Sequence, residues 1–359
     1  MNPERTFVIA EAGVNHNGNK NLAHALVEAA AEAGADAVKF QTFRAAKLAA
    51  PSAPKAAYQK QNTDSAESQY AMLSKLELPL EWHAPLQAHA RQRGIQFLST
   101  AFDLDSLSFL NEMGMPLFKV PSGELTNAPL LWRFARIRKP LILSTGMATL
   151  AEVEQGLAIV AHALATDQEP SSIDEVWRHW SQTSSRDRLR GHVTLLHCTS
   201  QYPTPFEEVN LRAMDTLASA FGLTVGYSDH TPGTLIPIAA VARGARVIEK
   251  HFTLDRSLPG PDHKASLEPS ELTRMVEDIR TLEQALGDGI KTPQPSEWDT
   301  RQAARQQIVA AREIAANTIL VREDLATARC GYGLPPITLW ELVGRKANRS
   351  FSIGEVIEA

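Results

Sequence analysis

Short apolar runs rich in β-branched residues alternate along this chain with longer stretches in which apolar residues recur every three or four positions. Phe7-Val-Ile-Ala-Glu-Ala-Gly13 reads as a buried strand ending in a carboxylate. Asn15-His-Asn-Gly18 is turn chemistry, and Leu22 to Ala33 carries helical spacing that Gly34 stops. Ala37-Val-Lys-Phe-Gln-Thr42 is the next strand. The alternation then runs through a helix from His83 to Gly94, strand Ile95 to Thr100, helix Leu104 to Gly114 and strand Pro116 to Val120. It continues through helix Pro129 to Arg138, strand and turn Leu141 to Gly146, helix Leu150 to Ala163 and strand Val193 to Cys198. A helix ending at Phe221, strand Val225 to His230, helix Leu235 to Arg243, strand Val247 to Phe252 and helix Leu267 to Leu286 complete it. Counting gives eight strand-then-helix units, which predicts an α/β fold of the (β/α)₈ TIM-barrel type. A doubly wound open sheet is the alternative, but no GxGxxG follows the first strand.

Three segments stand outside the repeat. Residues 44–78 form an excursion rich in Ala, Gln and Ser, long enough to cover a barrel mouth. Residues 165–191 are polar with two tryptophans and read as a surface insertion without assigned function. Residues 287–299 are rich in Gly and Pro and read as a linker between a barrel domain, 1–286, and a small, mostly β domain, 300–359.

The test of a barrel enzyme is whether polar residues collect where strands stop. Glu11 ends the first strand, Lys39 and Gln41 the second, and Thr100 the third. Lys119, Ser122 and Glu124 follow the fourth, Ser144 and Thr145 the fifth, and Cys198, Thr199 and Ser200 the sixth. Ser228, Asp229 and His230 end the seventh, and Lys250 and His251 the eighth. Helix N-caps account for some of the hydroxyls but not for the lysines and glutamates. His230 and His251, at matched tips of neighbouring strands, can hold a divalent metal, with Asp229 and Ser228 beside the first. Lys119 with Ser122-Gly123, Ser144 with Thr145-Gly146, and Ser228 can wrap a phosphate. A structural pairing of Lys119 with Glu124 or Glu11 competes with that reading. Glu11 and Glu124 are candidate acid–base groups, with an ion pair to Lys39 as the competing role.

Composition narrows the partners. The 359 residues are 43 % hydrophobic and 21 % charged, ordinary for a soluble globular protein. With 36 Lys and Arg against 41 Asp and Glu, the net charge of −5 carries no footprint for nucleic acid or anionic membrane. An anionic substrate must therefore meet locally placed cations. Cys198 and Cys330 form no CxxC pair, which fits a reducing, cytoplasmic setting. Met1-Asn-Pro-Glu-Arg5 lacks a signal peptide's apolar core, and no apolar run approaches the ~20 residues of a membrane span.

Nine blocks stand out along the chain. The first are Ile9-Ala-Glu-Ala-Gly-Val-Asn-His-Asn-Gly18, Val38-Lys-Phe-Gln-Thr42, Phe118-Lys-Val-Pro-Ser-Gly-Glu124 and Leu143-Ser-Thr-Gly-Met147. Leu196-His-Cys-Thr199, Tyr202-Pro-Thr-Pro205, Gly226-Tyr-Ser-Asp-His-Thr231, Glu249-Lys-His-Phe-Thr253 and Pro259-Gly-Pro-Asp-His-Lys-Ala-Ser-Leu-Glu268 follow. In kind and in order these blocks resemble the sialic acid synthase family, which includes N-acetylneuraminate, legionaminate and pseudaminate synthases. The last 60 residues resemble the antifreeze-like (SAF) cap of these enzymes. The resemblance implies condensation of phosphoenolpyruvate with N-acetylmannosamine or a close N-acyl amino sugar, releasing phosphate; a 6-deoxy-2,4-diacetamido sugar is the alternative. It implies that His230 and His251 hold a divalent ion, manganese first, magnesium or cobalt otherwise, which polarises the open-chain aldehyde. It gives Lys119, Ser122, Ser144, Ser228 and Thr100 to phosphoenolpyruvate. It gives Glu11, Lys39, Gln41, Tyr202 and Asp262 to the sugar. Glu124 handles the proton of the attacking water, and Arg329 reaches the N-acyl group from the cap of a partner in a domain-swapped homodimer. Two departures stand out. Ser200 replaces the Asn of several relatives, and Ala328-Arg-Cys-Gly331 keeps the cap's arginine but not the proline that stiffens its loop. A Schiff-base aldolase using Lys119 or Lys39, and a non-catalytic carbohydrate-binding protein, are the competing functions.

Overall fold

The computed structural model describes residues 5–64 and 66–358, and it divides into two compact units, Met1–Gly287 and Asp288–Ala359. The opening tetrapeptide, read above as part of a start without a signal peptide, lies outside the described residues.

In the first unit, strands and helices alternate in chain order. They are β1 (Phe7–Gly13), α1 (Lys20–Glu32), β2 (Ala37–Thr42), α2 (Ala45–Leu48), α3 (Ala57–Asn62), α4 (Gln69–Leu76), α5 (Leu80–Gln92) and β3 (Gln96–Ala101). Next come α6 (Leu104–Glu112), β4 (Phe118–Val120), α7 (Ala128–Arg136), β5 (Leu141–Ser144), α8 (Leu150–Ala165), α9 (Ile173–Trp180), α10 (Thr183–Asp187) and β6 (Val193–His197). The unit closes with α11 (Ala213–Phe221), β7 (Thr224–Asp229), α12 (Leu235–Ala242), β8 (Val247–His251) and α13 (Pro269–Leu286). Local chemistry sets several ends. Asn19 accepts from the backbone N–H groups of Asn21 and Leu22 to start α1, and Thr149 with Glu152 forms a capping box for α8.

All eight strands are parallel, in the order β3-β2-β1-β8-β7-β6-β5-β4. Pairing of β1 with β8 brings the ends of the chain order together, and β3 packs beside β4 across the seam. This near-closed barrel overturns the open-sheet alternative, in which the first strand would lie inside a doubly wound order.

Strand alternation sorts the side chains into layers. Facing inward at the base are Ile9, Ala37, Leu98, Ile142, Leu196 and Val247, a dry plug that closes the barrel. One step further along the same faces come Glu11, Lys39, Thr100, Lys119, Ser144, Cys198, Ser228 and Glu249. The opposite faces, including Val8, Val38, Phe40, Leu143, Leu195 and Ile248, pack against the helices in the main core. The same alternation corrects two expectations. Asp229 and Lys250 are each one residue off the inward face, so they do not reach the barrel mouth beside His230 and His251. Instead they pair with each other in full burial, and Asp229 also accepts from the Thr231 hydroxyl.

The insertion is not a loose surface loop. Residues 165–191 form α9 and α10; Trp180 is buried and donates its indole N–H to Glu154 of α8 at 2.9 Å. The expected linker also ends early, because a 3₁₀ turn spans Pro295–Glu297 and α14 (Trp298–Ala304) begins at once. In the second unit β9 (Gln306–Ala310) pairs antiparallel with β10 (Leu325–Arg329), followed by α15 (Leu339–Leu342). Bridges Val309–Val356, Ile314–Phe351 and Ile319–Lys346 hold the remaining extended chain around a small core of Ile308, Ile314, Leu325, Leu342, Phe351 and Ile357.

Gly226 marks a close approach of neighbouring strands inside the barrel. A Cβ there would run into the Val247 carbonyl oxygen of the next strand and come within 2.6 Å of Leu196. Backbone cannot yield as a side chain can, so Gly226→Ala is expected to lower stability by about 1–3 kcal/mol or more. Denaturant unfolding measures it, and a midpoint equal to wild type would contradict the packing described.

Candidate active site

The inward layer above the plug carries four charges with very little water. Lys39, Glu11, Glu249 and Lys119 are 1–8 % exposed. Lys39 Nζ lies 2.6 Å from Glu11 Oε2 and 3.5 Å from Glu249 Oε2, and it donates to Thr100 Oγ1 at 3.0 Å. Lys119 Nζ lies 3.1 Å from Glu249 Oε1, which also accepts from the Ser228 hydroxyl at 3.0 Å. Glu249 is thus the acid between two lysines. Lys119 does pair structurally, but with neither Glu124 nor Glu11. The signal for Glu249 was present in the sequence: it stands two residues before His251 in a strand, hence on the same face.

Burial pushes against every charge here, and the partners decide the outcome. Burial works against ionised Glu249, but Lys119 and Lys39 outweigh it and hold the carboxyl well below the usual range. Burial likewise opposes the Lys39 charge, yet Glu11 and Glu249 raise its pKa. For Glu11 burial wins over the pull of Lys39, helped by repulsion from Glu249, and the carboxyl is raised.

Above this layer opens a cavity of about 420 Å³ that reaches Glu11, Lys39, Gln41, Thr100, Lys119, Ser122, Glu124, Ser144, Ser200, Tyr202, Ser228, His230, His251 and Asp262. Every barrel residue to which the family resemblance gives a role, and Ser200 with them, is therefore brought to one space, whereas Thr145, Thr199, Asp229 and Lys250 do not line it. Gln41 donates to Glu11 Oε1 at 3.1 Å. Gly146 permits the close approach of the hydroxyls; a Cβ there would lie 2.8 Å from Ser122 Oγ, 2.9 Å from Cys198 Sγ and closer still to Ser200 Oγ. The Gly146 N–H donates to Ser122 Oγ at 3.0 Å, while the buried Ser144 hydroxyl has no partner. Thr145 departs from expectation: its hydroxyl turns back to the Leu196 carbonyl at 2.9 Å, leaving it unavailable to an anion. Glu124 sits in the 3₁₀ turn Ser122–Glu124, half-buried, accepting from Asn127 Nδ2 at 2.6 Å.

The two histidines lie with ring centroids 5.5 Å apart. His230 donates Nδ1–H to the Thr199 carbonyl at 2.7 Å, which leaves Nε2 as a lone pair. His251 Nδ1 is buried without a hydrogen-bond partner. Burial pushes His230 down to about 4 and, with repulsion from His230, pushes His251 well below its usual range. Two neutral imidazoles, one already oriented by a backbone carbonyl, fit the donor set of a borderline divalent ion. Among the described residues no group of three or more His, Cys, Asp and Glu is placed to hold a metal. Tyr202 covers the pair, its ring 4.1 Å from that of His230 and 5.7 Å from that of His251.

The excursion 44–78 supplies part of the cavity, as its length suggested. Tyr58 of α3 stacks on Tyr202 at 4.9 Å, and Asn62 donates to the Pro261 carbonyl at 3.0 Å, tying this segment to the loop that carries Asp262. Tyr58, Gln59, Gln69, Met72 and Leu73 line the cavity. None of them was singled out from the sequence, because nothing in their spacing distinguishes a cavity wall from a solvated helix.

Arg329 belongs to the second unit, exposed at the end of β10.

The chain matches the NeuB family model over residues 26–291 and the SAF domain model over residues 305–359. This chain belongs to the NeuB family. It is 46 % identical to the N,N'-diacetyllegionaminic acid synthase of Campylobacter jejuni, over 99 % of each chain. It is 45 % identical to the enzyme of the same name from Legionella pneumophila, over 98 % of this chain and 93 % of that one. A crystal structure of N-acetylneuraminic acid synthetase from Leptospira borgpetersenii superposes with a TM-score of 0.67 at 32 % identity, covering 83 % of this chain and 90 % of that one.

Asp262 offers a test of the cavity's electrostatics. Burial, reinforced by the Glu11 charge, pushes its carboxyl up to about 7 from an ordinary 3.8. The folded state therefore keeps a proton that the unfolded chain releases near pH 4, and this group's contribution to stability is lost as pH rises from about 4 to about 7. Asp262→Asn is expected to remove that loss, so the variant gains on wild type between pH 4.5 and pH 8 in unfolding free energy. A stability difference that does not change across this range would refute the assignment.

Proposed function

We propose that this NeuB-family synthase condenses phosphoenolpyruvate and water with an open-chain 6-deoxy-2,4-diacetamido sugar, giving an N,N'-diacetyllegionaminate-type acid and phosphate. The observation that carries the choice of sugar is the 46 % end-to-end identity with the Campylobacter jejuni synthase, against 32 % with the N-acetylneuraminic acid synthetase. N-acetylmannosamine, the first expectation from the sequence, becomes the second candidate.

The reading assigns the work as follows. Lys119, with the hydroxyls of Ser122, Ser144, Ser228 and Thr100, binds phosphoenolpyruvate; an entering anion competes with Glu249 for the lysine and finds the unpartnered Ser144 hydroxyl. Ser200 sits beside Gly146 and extends the same cradle. Glu11, Lys39, Gln41, Tyr202 and Asp262 orient the sugar. A divalent ion held by His230 and His251, manganese by preference and magnesium or cobalt otherwise, would polarise the sugar aldehyde. C3 of phosphoenolpyruvate forms the new bond to the aldehyde carbon, whose oxygen takes up a proton and becomes a hydroxyl; water adds at C2, and Glu124 at the mouth takes the proton that this water gives up, so that protons balance. The C2–O bond breaks and phosphate leaves with the bridging oxygen.

A Schiff-base route requires a neutral lysine, and Lys39 is held protonated between two acids. Arg329, exposed at the end of β10, completes the reading from the SAF unit of a second copy in a homodimer. Among the described residues no helix is long and apolar enough to cross a membrane, and we place the enzyme in the cytoplasm, where phosphoenolpyruvate is made.

Phosphate release with each sugar tests the choice. The diacetamido sugar is expected to give a kcat/KM at least tenfold above that of N-acetylmannosamine, and the reverse order would overturn it. EDTA should abolish turnover and Mn²⁺ restore it better than Ca²⁺, since imidazole suits transition ions and Ca²⁺ prefers oxygen. Full activity after exhaustive chelation would remove the metal from the scheme.

A further inference from the structure

We infer that the wall built by α2 and α4 is the element that selects the sugar, by receiving the methyl groups at its far end. The inference rests on the condensation proposed above and adds the residues that choose its substrate.

The cavity has two unlike halves. Around the tips of β4 to β8 it presents a lysine, hydroxyls, a thiol and two imidazoles, from Lys119, Ser122, Ser144, Cys198, His230 and His251. Over β1 to β3, Glu11, Lys39, Gln41 and Thr100 reach the cavity from the strands themselves, and beside them stands a wall of carbon: Phe43 and Phe102 follow the strands, Leu48 comes from α2, and Met72, Leu73 and Leu76 come from α4. Met72 and Leu76 are buried in a cluster with Phe43, and Leu48, Leu73 and Phe102 pack on it half-buried, with side chains open to the cavity. At the rim of this wall stand two amides, Gln59 and Gln69, joined by a hydrogen bond of 3.3 Å.

Geometry then orients the sugar. Its aldehyde carbon must meet phosphoenolpyruvate in the polar half, so carbons four to six extend toward the carbon wall. In a 6-deoxy-2,4-diacetamido sugar those carbons carry an acetamido methyl and a terminal methyl. In N-acetylmannosamine they carry hydroxyls, which would lose water against Leu48, Leu73 and Phe102 without gaining partners. The Gln59–Gln69 pair is suited to the 4-acetamido group: Gln59 Oε1 is taken by Gln69 Nε2 and the Ala56 N–H, which leaves Gln59 Nε2 to donate and Gln69 Oε1 to accept.

The test uses the full-length enzyme with phosphoenolpyruvate and both sugars mixed at equal, sub-saturating concentration, the two products being counted by mass spectrometry. The product ratio is then the ratio of kcat/KM values. Leu48→Gln and Leu73→Gln each are expected to lower the preference for the diacetamido sugar by about tenfold or more, and Leu73→Met to keep it within about threefold. Thermal unfolding verifies that the variants are folded. Should either glutamine fail to fold, Leu48→Ala and Leu73→Ala shorten the wall without adding a polar group, and a preference lowered by at least about threefold is expected from each. An unaltered ratio in folded variants at both positions overturns the inference while leaving the condensation intact. A wild-type enzyme that prefers N-acetylmannosamine overturns it equally. A wild type that consumes neither sugar refutes the proposed reaction itself and this inference with it.

Discussion

Glu249 lies at the centre of the barrel's polar interior, between the amines of Lys119 and Lys39 and under the hydroxyl of Ser228. Two lysines and two glutamates have been taken out of water together, and no one of them is tolerable alone: removing one partner from a buried pair typically costs about 3–5 kcal/mol. The cluster therefore depends on the barrel's closure, since β1, β2, β4 and β8 each contribute one charge. It also prepares the site. Ion pairing holds the lysines below the cavity, and it leaves Glu11, whose pKa is raised, as the less secure of the two anions. A dianionic substrate entering above would meet two oriented cations and one carboxylate that readily accepts a proton.

The relation between this layer and its surroundings follows from a period of two. Inward positions run from an apolar plug through the charged layer to the histidines at the mouth, and outward positions meet the helices. That rule makes most of the site legible in the sequence: the inward-facing strand-end residues, among them Glu11, Lys39, Lys119, Ser228, His230 and His251, share one cavity. Asp229 and Lys250 stand near strand ends but on the outward face, and closeness to a strand's end does not by itself tell the two faces apart. They pair with each other behind the barrel wall, a buried ion pair that stabilises packing and leaves the mouth to their neighbours. Glu249 was overlooked because it stands before the strand's end rather than at it.

What the sequence did not disclose lies in segments without a period. The excursion 44–78 reads only as a long stretch rich in Ala, Gln and Ser that can cover the mouth, yet Tyr58 reaches Tyr202, and Leu48, Met72 and Leu73 reach the cavity. Such contacts depend on how three short helices fold back over the barrel, which no local pattern encodes. The insertion 165–191 is a similar case, since burial of Trp180 against α8 turns a polar stretch into two packed helices. The eight strand–helix units, by contrast, were readable throughout, with ends displaced by a few residues where caps and turns rather than hydrophobicity set the boundary.

The buried charge layer is best tested by a double-mutant cycle on Glu249→Gln and Lys119→Met, read as unfolding free energy in denaturant at neutral pH. Each single change leaves the buried cluster with one uncompensated charge, whereas the double change removes both members and leaves Lys39 with Glu11. The account predicts that the double variant is more stable than the sum of the single losses by about 2 kcal/mol or more. Losses that add to within about 0.5 kcal/mol would contradict it, because the two residues would then be energetically independent.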